Sequence, residues 1–402
     1  MSEAVNIPQL RFPEFNGAWE EKKLGEVVRY TKGFAFKSND YVDSGVRIIR
    51  VSDLGAESIK KDNKSIYLSS ENEHLYDKWK IRKNNIVITT VGSNPDLIES
   101  AVGRGIFIIN DNEGLLNQNM LKLENSTQVN NKFVHCFINS PKYIHHIKAI
   151  KRGNANQANI TVKELLDFKL SITTKPEQQK IAAFLNAVDT KIEQLSKKQE
   201  LLGEYKKGLM QQIFSQAIRF KASDGSDFPD WEEKRLGGCI LENQKSQIQV
   251  NFVSDNTERD DVNIYPFFTS GNKALFTDSP IVEGDNIFLS TGGIATINFY
   301  SGKGSYSTDV FCISSVSENT RFIYYYLLSI LIKIDRKLFY GSGLKHLDKK
   351  AFRKIITTLP ALPEQTKIAN FLSSVDSKIE QVGKQLDESK QFKKALLQRM
   401  FV

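Results

Sequence analysis

The sequence predicts an α+β protein: two mixed α/β domains separated by two long α-helices that pair as a coiled coil, the whole frame being an internal pseudo-twofold repeat. Three observations predict it. PEQQKIAAFLNAVDTKIEQ at 176–194 returns as PEQTKIANFLSSVDSKIEQ at 363–381, with 14 of 19 positions identical. FPEFNGAWEEKKLGEVV at 12–28 returns as FPDWEEKRLGGCILE at 228–242. Within and beyond each PEQ segment, seam positions recur in alternating steps of three and four for more than three heptads, which is a coiled-coil period.

Each half opens on WEEK(K/R)LG, passes through a variable body and closes on PEQ. The bodies run 157 residues from Trp19 to Pro176 and 132 from Trp231 to Pro363. The expected division is a first domain at 1–175, a central helix at 176–218, a second domain at 219–362 and a C-terminal helix at 363–402.

In the first body, alternation and β-branched content predict strands at 46–54, 84–92, 103–110 and 117–125. Helices are predicted at 131–150, broken near Pro141, and at 161–168, where Thr161 and Glu164 make a capping box. The second body predicts strands at 285–291, 295–302 and 309–315, a helix at 321–337 and a short helix after Asp348. The element order matches although the words differ, as expected of two diverged copies of one domain.

Pro176 and Pro363 suit a first helical position, where the missing N–H costs nothing. Glu177 and Glu364 follow in the first turn, where the helix dipole favours an anion. The first seam reads Leu185, Val188, Ile192, Leu195, Gln199, Leu202, Lys206, Leu209, Ile213. The second reads Leu372, Val375, Ile379, Val382, Leu386, Ser389, Lys393, Leu396, Met400. About 38 residues per helix would span roughly 55 Å. A narrow apolar stripe cannot be buried by one helix alone, and the simplest partner for each helix is the other. Gln199 and Lys206 are expected to face Ser389 and Lys393, fixing register at some cost in stability.

Composition narrows the class. A length of 402 residues suits two to three domains, and 40% hydrophobic residues suffice for cores. The most apolar run, FIYYYLLSILIKI from Phe322, is too short for a membrane span and runs into Lys333, Asp335 and Arg336. The opening MSEAVNIPQL lacks the basic start and apolar core of a signal peptide. Cys136, Cys239 and Cys312 are scattered and odd in number, which fits a reducing cytoplasm without disulfides or a zinc motif. The net charge of +8 is compatible with a polyanionic partner and equally with a merely solubilising surface.

A search for catalytic apparatus ends empty. There is no phosphate-binding loop of the G-x-x-x-x-G-K-[ST] type and no H-E-x-x-H. SNPD at 93–96 lacks the second proline and the aromatic of an amino-methyltransferase signature. PDWEEK at 229–234 carries the letters of a nuclease site, packed too tightly for separate strands to present two carboxylates to a metal. His145 and His146 are adjacent on a predicted helix and so point to different faces. No catalytic residue, metal site or cofactor of its own is expected.

Polar and basic residues collect instead in loops: 31–41, 89–96 and 151–161 in the first body, and 266–276, 290–309 and 340–350 in the second. The loops that begin at Lys151 and Tyr340 sit at matching places before the two PEQ prolines. Asn and Gln can bond adenine edges, Arg and Lys guanine, while Gly, Ser and Thr allow close approach to phosphates. For any one loop, a plain turn explains the same residues. Two domain copies carrying such loops at corresponding positions favour nucleic acid.

The order of these words resembles the specificity subunit of type I restriction–modification systems over nearly the whole chain. The resemblance rests on the duplicated WEEK(K/R)LG, on RIIRVSDL at 47–54, YPFFTSGN at 265–272 and LLNQNMLKL at 115–123, and above all on the PEQ pair. It implies two target recognition domains held apart by an antiparallel pair of helices, each domain reading half of a bipartite double-stranded DNA target. It further implies docking of two modification subunits on the helices and, through the complex, of restriction/translocase subunits. S-adenosylmethionine, ATP and Mg would then sit on partner subunits. The candidate DNA contacts are Lys32, Lys37, Ser38, Arg50, Thr90, Ser93, Asn94, Lys151, Arg152, Asn154, Asn156, Gln157 and Asn159 in the first body. In the second they are Thr269, Ser270, Asn272, Lys273, Thr291, Ser307, Tyr340, Ser342, Lys345 and His346. The rival reading is a coiled-coil adaptor that binds only proteins.

Overall fold

The computed structural model describes residues 6–61, 64–97, 101–124, 126, 128–138, 140–153, 157–248, 264–271 and 275–401. The chain forms two compact units, Met1–Leu195 with Gln385–Val402, and Ser196–Lys384. Each contains one α/β body and a share of both long helices.

In the first unit, a four-stranded antiparallel sheet runs Arg29–Lys32, Met120–Glu124, Ile86–Thr89, Gly105–Phe107. Ile86–Thr89 is an IVIT run buried at every position, as a β-branched strand with neighbours on both sides should be. A five-stranded sheet around Val46–Ile49 lies next in the same body. Helices Asn131–Phe137 and Pro141–Ile150 seal the core, with Phe133, Tyr143 and Leu165 buried beside Trp19.

The second unit repeats this plan. Its four-stranded sheet runs Ile240–Glu242, Val310–Ser315, Asp285–Ser290, Ile297–Ser301. Helices Thr320–Ser329 and Leu331–Leu338 pack over it, with Phe322, Tyr325 and Phe352 in the core.

The structure trims several predicted elements. The strand expected at 46–54 stops at Ile49, because the Asp53 carboxylate accepts from Arg50 N at 2.8 Å and folds Val51–Asp53 into a 3-10 turn. The strand expected at 84–92 divides at Thr90, and the helix expected at 321–337 breaks at Ile330. The helical break at Pro141 and the short helix after Asp348 stand where expected.

The repeated words turn out to touch. Glu20–Lys23 pairs antiparallel with Lys169–Ile172, the strand just before the first PEQ, and Glu232–Arg235 pairs likewise with Ile356–Leu359. The glycine of each LG admits a neighbouring helix: a Cβ on Gly25 would lie 3.1 Å from Leu166 Cβ, and one on Gly237 would lie 2.9 Å from Arg353 Cβ. The PEQ glutamines are buried and make the same bonds twice. Gln178 accepts from Asn130 N at 2.9 Å and donates to Thr173 O at 2.7 Å. Gln365 accepts from Asn319 N at 3.0 Å and donates to Pro360 O at 2.8 Å. Asn130 and Asn319 in turn cap helices Asn131–Phe137 and Thr320–Ser329. Each glutamine thereby ties its long helix to the N-terminus of a body helix.

The long helices are Lys175–Phe214 and Leu362–Met400. Every expected seam position is buried or half-buried. One expectation is overturned, however: Gln199 and Lys206 do not face Ser389 and Lys393. Within the second unit, a Cβ on Gly383 would sit 2.8 Å from Gln199 Nε2, and Lys206 pairs with Asp376 at 2.6 Å. Within the first unit, Lys393 pairs with Asp189 at 2.7 Å, and the Ser389 hydroxyl bonds its own helix at Gln385 O. Partner numbers fall along one helix as they rise along the other, so the helices run antiparallel. Each half-buried lysine finds the aspartate of a repeated VD-x-K, where two lysines face to face would repel.

Candidate nucleic-acid interface

Both bodies build a small hairpin, in a small sheet apart from the four-stranded one, from the segments singled out in sequence. In the first, Arg152–Gly153 pairs with Ala158–Asn159, which pairs with Val91–Gly92. In the second, Phe339–Tyr340 pairs with His346–Leu347, and His346 bridges to Gly292. Gly153 and Gly341, at the end of each hairpin's first strand, adopt positive φ, at +98° and +145°. A Cβ there would meet Gln157 O at 2.3 Å and Leu344 O at 2.4 Å, so only glycine fits.

This topology gathers seven expected residues of the first body on one edge. Ile160 N donates to Thr90 O at 3.0 Å, and Asn159 lies opposite Val91, with Ser93 and Asn94 following. Lys151 Nζ reaches Asn94 Oδ1 at 3.4 Å. Gln157 is exposed at the turn, while Asn154 and Asn156 lie outside the described residues. Arg152 makes two bonds to Glu164, at 2.7 and 2.6 Å. Those bonds, with one from Thr161, hold the Glu164 carboxyl down at about 2, so it stays charged and aims the guanidinium.

Four residues fall elsewhere. Lys37 and Ser38 are exposed on a separate turn, and the Lys32 carbonyl accepts from Trp79 Nε1 at 3.1 Å. Arg50 grips the fully buried Asp53 with two bonds of 3.1 Å, and its guanidinium is held charged mainly by them. Arg50 thus fixes a turn.

In the second body, Asp309 is the organiser. Ser270 and Ser307 both donate to its carboxylate, and Thr291 Oγ1 donates to its carbonyl at 2.8 Å. Burial pushes the Asp309 carboxyl up, but the two serine bonds outweigh it and keep the group below its usual value. Ser307 is itself buried and so positions Asp309. Thr291 links this cluster to the hairpin, since Leu347 N donates to its carbonyl at 3.0 Å. Tyr340, Ser342, Lys345 and His346 stand exposed on that hairpin, and Thr269 is half-buried beside Ser270. Asn272 and Lys273 lie outside the described residues. Asp309 escaped sequence reading and Glu164 was read only as a helix cap, because a carboxylate draws no notice where cations and amides are sought.

Among the described residues, no group of His, Cys, Asp and Glu could hold a metal ion. All three cysteines are buried and free, with burial pushing the Cys136 and Cys312 thiols up to about 12.

The description "Type I restriction modification DNA specificity domain" matches residues 16–202 and 229–388. The chain belongs to this family. Each match of the specificity family takes in one WEEK frame, one body and one PEQ helix start. The putative type I restriction enzyme MjaX specificity subunit of Methanocaldococcus jannaschii is 25% identical over 417 residues, covering 98% of this chain and 95% of the relative. The MjaVIII specificity subunit of the same organism is 23% identical, covering 96% and 92%. The type I restriction–modification S subunit from M. genitalium shares the fold, with a TM-score of 0.69 at 17% identity, over 98% of this chain and 99% of that one.

Proposed function

We propose that the chain is the sequence-reading subunit of a type I restriction–modification complex and catalyses nothing itself. One observation carries this: two copies of a specificity-family domain, on a constant frame, present differently worded hairpins at corresponding places before the two PEQ helices. Constant parts suit a repeated partner, and different hairpins suit two different half-sites of a bipartite double-stranded target.

In this reading, residues 1–175 and 219–362 are the recognition domains. The helices at 176–218 and 363–402 set the half-site spacing and dock two modification subunits. Restriction/translocase subunits join through the complex, and S-adenosylmethionine, ATP and Mg belong to those partners. The DNA contacts come from the two hairpins and from Thr269, Ser270 and Thr291, with Lys32, Lys37 and Ser38 on a second surface of the first domain. No helix among the described residues is long and apolar enough to cross a membrane, and the cytoplasm is the place for such a complex.

Salt dependence of DNA binding tests the reading. Each phosphate neutralised adds about −0.9 to the slope of log K against log salt. A steep slope from the assembled complex supports DNA reading. A flat one, with partner assembly intact, favours the protein-only adaptor.

A further inference from the structure

Among the described residues, four of the six most exposed large apolar side chains lie on one surface of the second unit. Ile294 is 76% exposed, Ile332 69%, Leu344 64% and Tyr340 59%. Scattered exposed apolar residues need no explanation, but a cluster does.

The loops that carry them are stiff. Gly293 N donates to Lys345 O at 2.9 Å, and Ser290 Oγ donates to Ile294 O at 2.9 Å. Ala295 N donates to Asp335 Oδ1 at 2.8 Å, tying the loop to helix Leu331–Leu338 one turn from Ile332. Leu344 lies over Gly292, where a Cβ would sit 3.8 Å from its Cδ2. Two exposed aliphatic side chains thus stand on adjoining loops whose backbones are tied to each other and to the helix.

Lys333, Arg336 and Lys337 share helix Leu331–Leu338 with Ile332, and Lys345 follows Leu344; all four are exposed and none is in an ion pair among the described residues. Cations beside exposed apolar side chains match a polyanion with an apolar interior, which is duplex DNA.

We propose that Ile294 and Leu344 form a wedge that enters the duplex at the second domain's half-site and unstacks one base step, with Lys345, Arg336 and Lys337 on the flanking phosphates. Aliphatic wedges of this kind replace base stacking by side-chain contact and bend the duplex. The proposal rests on the DNA-reading assignment above and adds how one half-site is held.

The test uses the complex of the full chain with its modification subunits, on a duplex carrying the target found by mapping its methylation. 2-Aminopurine is placed in turn at each position of that half-site other than the methylated adenine. The two neighbouring positions that flank one step should brighten with the wild-type complex and fall back to the free-duplex level with I294A/L344A. Affinity should drop about tenfold, with an unchanged melting temperature. The single variants L344A and I294A should each give part of the effect. A complex that binds its target and brightens no position overturns the wedge and leaves the DNA-reading assignment standing. Unaltered affinity and brightening in the double variant overturn it too. So does a duplex in which deoxyuridine for thymine costs as much as the double substitution, because the side chains would then read a methyl group. A complex that binds no duplex removes the DNA-reading assignment, and the wedge with it.

Discussion

Arg11 holds Glu177, a carboxylate with no exposed side-chain surface, through two hydrogen bonds of 2.7 Å. The second unit repeats the device, Arg219 donating to the equally buried Glu364 at 2.8 and 3.3 Å. In both, the arginine also bonds carbonyls of the segment leading into WEEK: Asn16 and Gly17 for Arg11, Phe228 and Pro229 for Arg219. The first-turn glutamate therefore does more than meet the helix dipole. It stitches the start of each half to its end. Removing one partner of a buried pair leaves an uncompensated charge, at a cost of about 3–5 kcal/mol. Arg11→Ala should destabilise the first unit by that order, and Arg219→Ala the second somewhat less, since its arginine is more exposed. Chemical denaturation of each variant checks this, and E177Q in the R11A background should recover part of the loss.

The adjacent glycines of LGG make a matched pair. A Cβ on Gly237 meets Arg353 Cβ and O at 2.9 Å, whereas one on Gly238 meets nothing within 4 Å. Gly237→Ala should cost about 1–3 kcal/mol by overpacking. Gly238→Ala, inside the helical turn Leu236–Cys239, should be neutral or stabilising by up to about 1 kcal/mol. Thermal melts of the two variants side by side separate a steric from a propensity effect.

Asp189 lies between Lys132 and Lys393, at 2.6 and 2.7 Å. Burial raises its carboxyl, but the two lysines outweigh that and set it below its ordinary 3.8. A depressed carboxyl stabilises the fold above its unfolded value and loses that contribution as pH falls through the lower folded value. Stability should therefore decline as pH drops below about 4, and D189N should flatten that limb. The same substitution should cost on the order of 1–3 kcal/mol at pH 7, because two half-buried ammonium groups lose their counter-charge and one of two acceptor oxygens.

Tyr205 and Phe392 occupy equivalent places in the repeat and are 54% and 53% exposed on the long helices. Exposed aromatics at repeated positions suit two copies of one partner. Y205A and F392A should each weaken capture of one modification subunit by about 30-fold, the cost of losing a hot-spot aromatic, with melting unchanged. Titration with purified modification subunit, followed by native mass measurement, reads each site separately.

The hairpins should act independently. Replacing Gln157 and Asn159 by Ala should relax one half-site, and replacing Ser342 and His346 the other. Removing Lys345 should reduce the salt slope by about 1 without altering sequence preference. Binding to duplexes mutated in one half at a time measures this, and equal loss at both halves from either variant would refute the assignment of one half-site to each domain.

Periodicity and repetition made much of this structure legible. The seam from Leu185 to Ile213 and from Leu372 to Met400 is readable because a helix must bury every third or fourth residue. Equal placement before PEQ marks the two segments as counterparts, and both form hairpins. What stays hidden is what depends on contacts distant in sequence. Arg11 lies 166 residues from Glu177, and Arg219 lies 145 from Glu364, with nothing local to announce either pairing. Glu20–Lys23 and Glu232–Arg235 are strands written wholly in charged residues, without the apolar alternation that reveals a strand. The expected facing of Gln199 and Lys206 with Ser389 and Lys393 failed because heptad spacing fixes which residues lie on the seam but not which residue of an antiparallel partner each will meet.

The most direct measurement is the methylation pattern that the chain imposes. The chain is co-expressed with its modification subunit in a host lacking adenine methylation, and the genomic DNA is sequenced with modified-base detection beside a control expressing the modification subunit alone. The expected result is a new split motif, two short half-sites around a fixed gap, present only with the chain. Unchanged DNA from a complex shown to assemble would contradict a sequence-reading role and leave the protein-only adaptor in its place.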